Sequence, residues 1–116
     1  MTLSYRVVGS GTPLLLIHGM GLTYSIWENL APLLSPYYKL IMIELLGHGG
    51  SPEIPKNAPY YSANVDGLEA VRRELNIECW DVLGYSMGAW AAQAYCERYP
   101  ERIDRMAFLC PALFSR

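Results

Sequence analysis

The sequence predicts an α/β fold, a mostly parallel sheet with helices on both faces, and three observations carry that expectation. Apolar runs such as residues 14–17 are continuous rather than alternating, as in strands covered on both sides. Segments with helical spacing separate these runs, which calls for crossover connections and therefore parallel neighbours. A glycine-flanked serine, Gly84-Tyr85-Ser86-Met87-Gly88, stands at a strand-to-helix junction.

The elements follow in order. Residues 2–8 alternate apolar and polar side chains and run into Gly9-Ser10-Gly11, which predicts a half-exposed strand turning back on its neighbour. Residues 14–17 are a buried strand. Ser25 followed by Glu28 has the form of a capping box, and Ile26, Trp27, Leu30, Leu33 and Leu34 are spaced for the inner side of a short helix that stops before Pro36. Residues 39–45 form a second buried strand, and residues 47–61, dense in Gly, Pro and Asn, form a loop. Val65, Leu68, Val71 and Leu75 mark one helix face, closed by Asn76 in a left-handed conformation. A third buried strand over 77–85, a helix from Ser86 to Pro100 and a fourth buried strand over 103–110 complete the chain. No repeat, low-complexity tract or linker divides it.

Composition narrows the function classes. A net charge of -2, with no basic run longer than Arg72-Arg73, gives no electrostatic footprint for nucleic acid or an anionic membrane. No apolar stretch approaches the roughly 20 residues of a membrane helix, and residues 1–9 lack the regions of a signal peptide, so an intracellular, cytoplasmic protein is expected. The 52% hydrophobic fraction suits one core-rich domain. Cys79, Cys96 and Cys110, without metal-ligand spacing, read as buried free thiols. Gly9-Ser10-Gly11 precedes Pro13 and a strand, where a phosphate loop needs a helix N-terminus.

Ser86 is the candidate nucleophile. On a tight turn its hydroxyl stands above the sheet edge, and Gly84 and Gly88 remove side chains that would collide where strand and helix nearly touch. The alternative is a serine that merely caps the helix. Upstream, His18-Gly19-Met20-Gly21 follows a buried strand, so its loop faces the same sheet edge. The backbone N–H groups of Met20 and Met87 could then form a two-donor oxyanion hole, worth about 3 kcal/mol per donor in the transition state. His18 reads as a loop brace and His48 as a turn residue, neither as an acid or base.

The order of "LLLIHGMG", Trp27, "IELLGHGGS", "DVLGYSMGAWAA" and "YPERIDRMAFLCPA" resembles the N-terminal half of the α/β-hydrolase fold family across nearly the whole chain. The resemblance implies about strands 2–6 of an eight-stranded sheet, Ser86 as nucleophile, Met20 and Met87 as backbone oxyanion donors, and Gly19, Gly21, Trp27 and Tyr85 at the substrate. It implies a small carboxylic ester, thioester or lactone as substrate, hydrolysed through an acyl-enzyme, with no metal or organic cofactor. "HGMGLTYSIW" is similar to small carboxylesterases, lactonases and pimeloyl-carrier-protein methyl esterases, and a serine nucleophile argues against dehalogenases and epoxide hydrolases.

Two departures set further expectations. Glu44-Leu45-Leu46 stands where the family usually has Asp-x-Arg or Asp-x-Pro, which puts in question the hydrogen bonds that normally brace the glycine-rich turn and bears on loop order more than on chemistry. The family order is Ser, acid, His, yet neither His18 nor His48 follows Ser86. Residues 1–116 therefore read as the N-terminal portion of a single domain whose C-terminal half, lid, acid and base are absent, inactive alone. The other reading is a non-catalytic binding or scaffold module on the same fold. The unpaired edge of the last strand predicts self-association or a complementing C-terminal piece.

Overall fold

Four apolar runs become parallel strands, and one polar-alternating run becomes the strand that closes an edge. The computed structural model describes residues 2–57 and 59–109, with strands β1 (Tyr5–Val8), β2 (Thr12–Ile17), β3 (Tyr38–Ile43), β4 (Trp80–Tyr85) and β5 (Ile103–Leu109). The sheet order is β1-β3-β2-β4-β5. β2, β3, β4 and β5 are parallel, and β1 is antiparallel to β3, so the first strand pairs not with its sequence neighbour but one place further out.

The helices cover both faces, as expected. α2 (Tyr60–Glu74) and α3 (Met87–Arg98) bury Val65, Leu68, Val71, Ala91, Ala92 and Tyr95 against Leu15, Ile17, Ile41 and Ile43. On the other face a 3-10 turn (Tyr24–Trp27) and the short α1 (Ala31–Leu34) pack on Leu14, Leu16, Leu40 and Met42. The alternation of those strand residues between the two clusters is the period of two of a pleated strand. Asn76, at a φ of 55°, closes α2 in the expected left-handed conformation.

Three local expectations change. The predicted helix over 26–34 is broken: Thr23, not Ser25, caps the 3-10 turn, its hydroxyl accepting the Ser25 N–H at 3.3 Å. Trp27 is buried as expected and α1 still packs on the sheet through Ala31 and Leu34, but Leu33 is 67% exposed. β5 is not a buried strand: it pairs with β4 alone among the described residues, and Phe108 and Leu109 are exposed. Cys79 and Cys96 are free and half-buried rather than fully buried; Cys110 lies outside the described residues. No helix among the described residues is long and apolar enough to cross a membrane.

Candidate active site

β2, β3 and β4 run parallel, so the loops after Ile17, Ile43 and Tyr85 gather at one sheet edge. Ser86 stands at the end of β4 with φ 55° and ψ -115°, a conformation costing about 1–3 kcal/mol in a residue other than glycine. The packing around it holds the strain in place. A β carbon on Gly88 would lie 2.2 Å from the Ile17 carbonyl oxygen, and one on Gly84 would lie 2.6 Å from the Gly88 carbonyl oxygen. Both glycines are needed because α3 leaves β4 and crosses β2 at backbone distance. The Ser86 N–H donates to the Leu109 carbonyl at 3.0 Å, tying the turn to β5. Met87 is the first residue of α3, so its N–H has no acceptor within the helix.

The loop after β2 lies against this serine. A β carbon on Gly19 would lie 3.2 Å from the Tyr85 ring and 3.3 Å from the Ser86 Cβ. Glycine at 19 therefore sets how close the 18–22 segment comes. The Leu22 N–H donates to the Gly19 carbonyl at 3.2 Å and Gly21 has φ 75°, which together make a tight turn with Met20 and Gly21 at its centre. The Met20 side chain is 73% exposed, so any contribution to this site comes from its backbone.

Both histidines are occupied in holding loops. His18 is fully buried; its Nδ1–H donates to the Gly19 carbonyl at 2.7 Å and its Nε2 accepts the Leu45 N–H at 2.9 Å. A backbone N–H can only donate, so Nε2 is the bare nitrogen and the ring is neutral. Burial lowers the His18 pKa, with His48 adding to the effect and the Gly19 carbonyl and Glu44 opposing it. His48 repeats the pattern: its Nε2 accepts the Gly21 N–H at 2.9 Å and its Nδ1–H donates to the Leu46 carbonyl at 3.0 Å. The two ring centroids are 4.8 Å apart.

The glycine-rich turn that Glu44-Leu45-Leu46 put in question is braced. Glu44 is itself the brace: its buried carboxylate accepts the Gly50 N–H at 2.9 Å. It lies so close under Gly49 that a β carbon there would be 2.0 Å from Oε2. Ser51 adds a hydroxyl bond to the Glu44 carbonyl and accepts the Ser4 N–H at 2.8 Å. Asn64 on α2 accepts the Leu46 N–H at 2.9 Å.

Of the candidate substrate residues, Gly19 and Tyr85 touch and Trp27 and Tyr85 share an apolar cavity of about 520 Å3 with Leu22, Ile26, Leu30 and Leu109. Gly21 faces His48 through its N–H. A second cavity of about 470 Å3, beside Arg6, Tyr24 and Glu28, contains none of the candidate residues. Among the described residues no group of three or more His, Cys, Asp or Glu is placed to hold a metal.

Comparisons with known proteins agree with this fold. A family model described as alpha/beta hydrolase fold matches residues 12–115. A pimeloyl-(acyl-carrier protein) methyl ester esterase of Photobacterium profundum is 30% identical over 109 residues, covering 90% of this chain and 39% of that protein. A 2-hydroxymuconate semialdehyde hydrolase of Pseudomonas sp. strain CF600 is 36% identical over 105 residues, covering 87% of this chain and 37% of that protein. The solved structure of the meta-cleavage product hydrolase from Pseudomonas fluorescens IP01 is similar at a TM-score of 0.81 and 35% identity, over 90% of this chain and 39% of that one. The chain spans less than half the length of these relatives.

Proposed function

The chain belongs to the α/β-hydrolase fold family, and on that premise we propose that it carries the nucleophile half of a serine hydrolase site acting on a carboxylic ester, thioester or lactone. The observation that carries this reading is Ser86 held at φ 55° between two glycines with no room for a β carbon. A capping serine needs no such strain, and its side chain would bond a helix N–H; Ser86 makes no such cap bond.

In the proposed reaction the Ser86 Oγ attacks the substrate carbonyl carbon, its proton passes to a base, and the carbonyl oxygen becomes an oxyanion. The N–H groups of Met20 and Met87 are the proposed donors to that oxyanion, supported by the place of Met87 at the start of α3, where its N–H has no acceptor within the helix, and by Gly19 seated against the Ser86 Cβ. Collapse expels an alcohol or thiol and leaves an acyl-serine, which water then hydrolyses. The apolar cavity beside Trp27 and Tyr85 suits an uncharged acyl or alkyl group. Substrates of this kind would need no contact with nucleic acid or lipid.

The base is proposed to lie outside these 116 residues. His18 and His48 are the chain's two histidines, and each uses both ring nitrogens on backbone groups. Freeing either ring would release a loop that the site depends on. The free edge of β5 is proposed as the surface where a further strand pairs, supported by the exposed Phe108 and Leu109.

Phosphonylation by a fluorophosphonate, followed by peptide mass mapping of the chain and of Ser86→Ala, tests the reading. Modification confined to Ser86 supports it. Modification elsewhere, or none under forcing concentrations even with imidazole added as base while a folded spectrum persists, favours a binding or scaffold module instead.

A further inference from the structure

We propose that His18 and His48 form a crossed clasp between the two loops beside Ser86, and that the clasp opens as one unit when both rings take up a proton. The inference goes beyond the nucleophile reading, since it rests on the hydrogen bonds of the two loops and stands whether or not Ser86 reacts.

The bonds are reciprocal. His18, on the loop after β2, accepts the Leu45 N–H of the loop after β3 at 2.9 Å. His48, on the loop after β3, accepts the Gly21 N–H of the loop after β2, also at 2.9 Å. Each ring is tied back to its own loop through Nδ1–H, His18 to the Gly19 carbonyl at 2.7 Å and His48 to the Leu46 carbonyl at 3.0 Å. A ring therefore travels with its loop, and drawing the loops apart breaks both crossing bonds together.

A second proton on either ring must settle on Nε2, the nitrogen that accepts. It would set N–H against N–H at Leu45 or Gly21, so the closed clasp requires both rings neutral. The ring centroids are 4.8 Å apart, so a charge on one ring also opposes a charge on the other. Burial is the largest influence on His18 and holds its pKa below the ordinary imidazole value; His48 acts in the same direction, while the Gly19 carbonyl and the Glu44 carboxylate oppose it. On the α2 side Tyr60, whose hydroxyl reaches the Leu46 carbonyl at 3.4 Å, has its pKa raised by burial and stays neutral.

The loop after β2 is the side free to move. Leu45 and Leu46 are buried in the core, and Asn64 holds the Leu46 N–H at 2.9 Å. Met20, by contrast, is 73% exposed, and a β carbon on Gly21 would meet nothing within 4 Å. Gly19 seats this loop against the Ser86 Cβ and the Tyr85 ring. Opening the clasp therefore takes away one wall of the Ser86 site while the sheet beneath persists.

Amide exchange of the 15N-labelled chain, read as protection factors from about pH 7.5 to about pH 5, spans the ordinary imidazole pKa and tests the clasp. Toward the acid end the Leu45 protection should fall about tenfold per pH unit for each histidine released, and so approach a hundredfold, with Gly21 following the same course. Leu16 and Ile41, in the paired stretches of β2 and β3, should stay better protected than Leu45 throughout. In His48→Gln, which keeps an acceptor that does not titrate, the Leu45 dependence should drop to about tenfold per unit. A wild-type dependence of about tenfold or less, one unchanged in His48→Gln, or Leu45 protection equal to that of Leu16 and Ile41 would overturn the clasp. Should His48→Gln fail to fold, the wild-type dependence at Leu45 and Gly21, set against the two core amides, decides the matter alone.

Discussion

The Ile17 carbonyl oxygen stands 2.2 Å from where a β carbon on Gly88 would be, so α3 and β2 touch backbone to backbone beneath Ser86. Neither strand nor helix can yield without displacing the sheet. Gly88→Ala should therefore destabilise the chain by about 3 kcal/mol. Gly21→Ala, with open space around it but a φ of 75°, should cost only about 1 kcal/mol. Urea unfolding of the two variants checks the contrast.

The strain at Ser86 makes a second expectation. Ser86→Gly relieves a positive φ that Ser86→Ala retains, so the glycine variant should be the more stable of the two by about 1 kcal/mol despite its looser unfolded chain. Thermal melts of both variants measure this, and equal melting temperatures would mean that the turn holds no strain.

Much of this arrangement was legible from residue order alone. The parallel sheet, the elbow at Ser86 and the left-handed Asn76 follow from apolar runs, glycine placement and a lone Asn after a helical face. The pairing of β1 with β3 was not, because an alternating strand next to a turn fits either neighbour. The break between Trp27 and Ala31 was hidden because apolar spacing continued through it while Thr23 captured the cap. The bracing by Glu44 and His48 depends on which backbone groups face them in three dimensions, which spacing does not report.

Acid should weaken the fold in two stages. His18 is buried neutral with a lowered pKa, so the unfolded chain takes up its proton first and stability begins to fall as the pH drops below 6.5. Glu69 follows: burial alone would raise its carboxyl, but hydrogen bonds from Arg72 and Tyr95 and the charges of Arg72 and Arg73 outweigh that and hold it at about 2, down from 4.5. Its folded pKa is depressed, so its contribution is complete above 4.5 and lost as the pH falls toward 2. Arg72 grips both Glu69 oxygens, at 2.7 and 2.6 Å, and the Ile77 carbonyl. Arg72→Met should cost about 3–5 kcal/mol by stranding the carboxylate, and adding Glu69→Leu should recover most of it. Denaturant midpoints across pH for the three proteins check both the stages and the recovery.

Among the described residues β5 pairs only with β4, and Phe108 is 38% and Leu109 45% exposed. The chain should self-associate at high concentration through the other edge of β5, and Phe108→Lys should suppress it without unfolding the protein. Sedimentation velocity over a concentration series separates this from a monomer that is indifferent to the substitution.

Chemical rescue by an added base is the most direct test of the proposal that Ser86 is a poised nucleophile whose proton acceptor lies elsewhere. Free imidazole would be added to the chain with a fluorophosphonate, and the rate of adduct formation on Ser86 followed by intact mass against Ser86→Ala. Adduct formation that rises with imidazole concentration in the wild-type chain and is absent from Ser86→Ala is the predicted result. A rate independent of imidazole would contradict it: if fast, a base within the chain already serves Ser86; if no faster than in Ser86→Ala, the elbow holds no usable nucleophile.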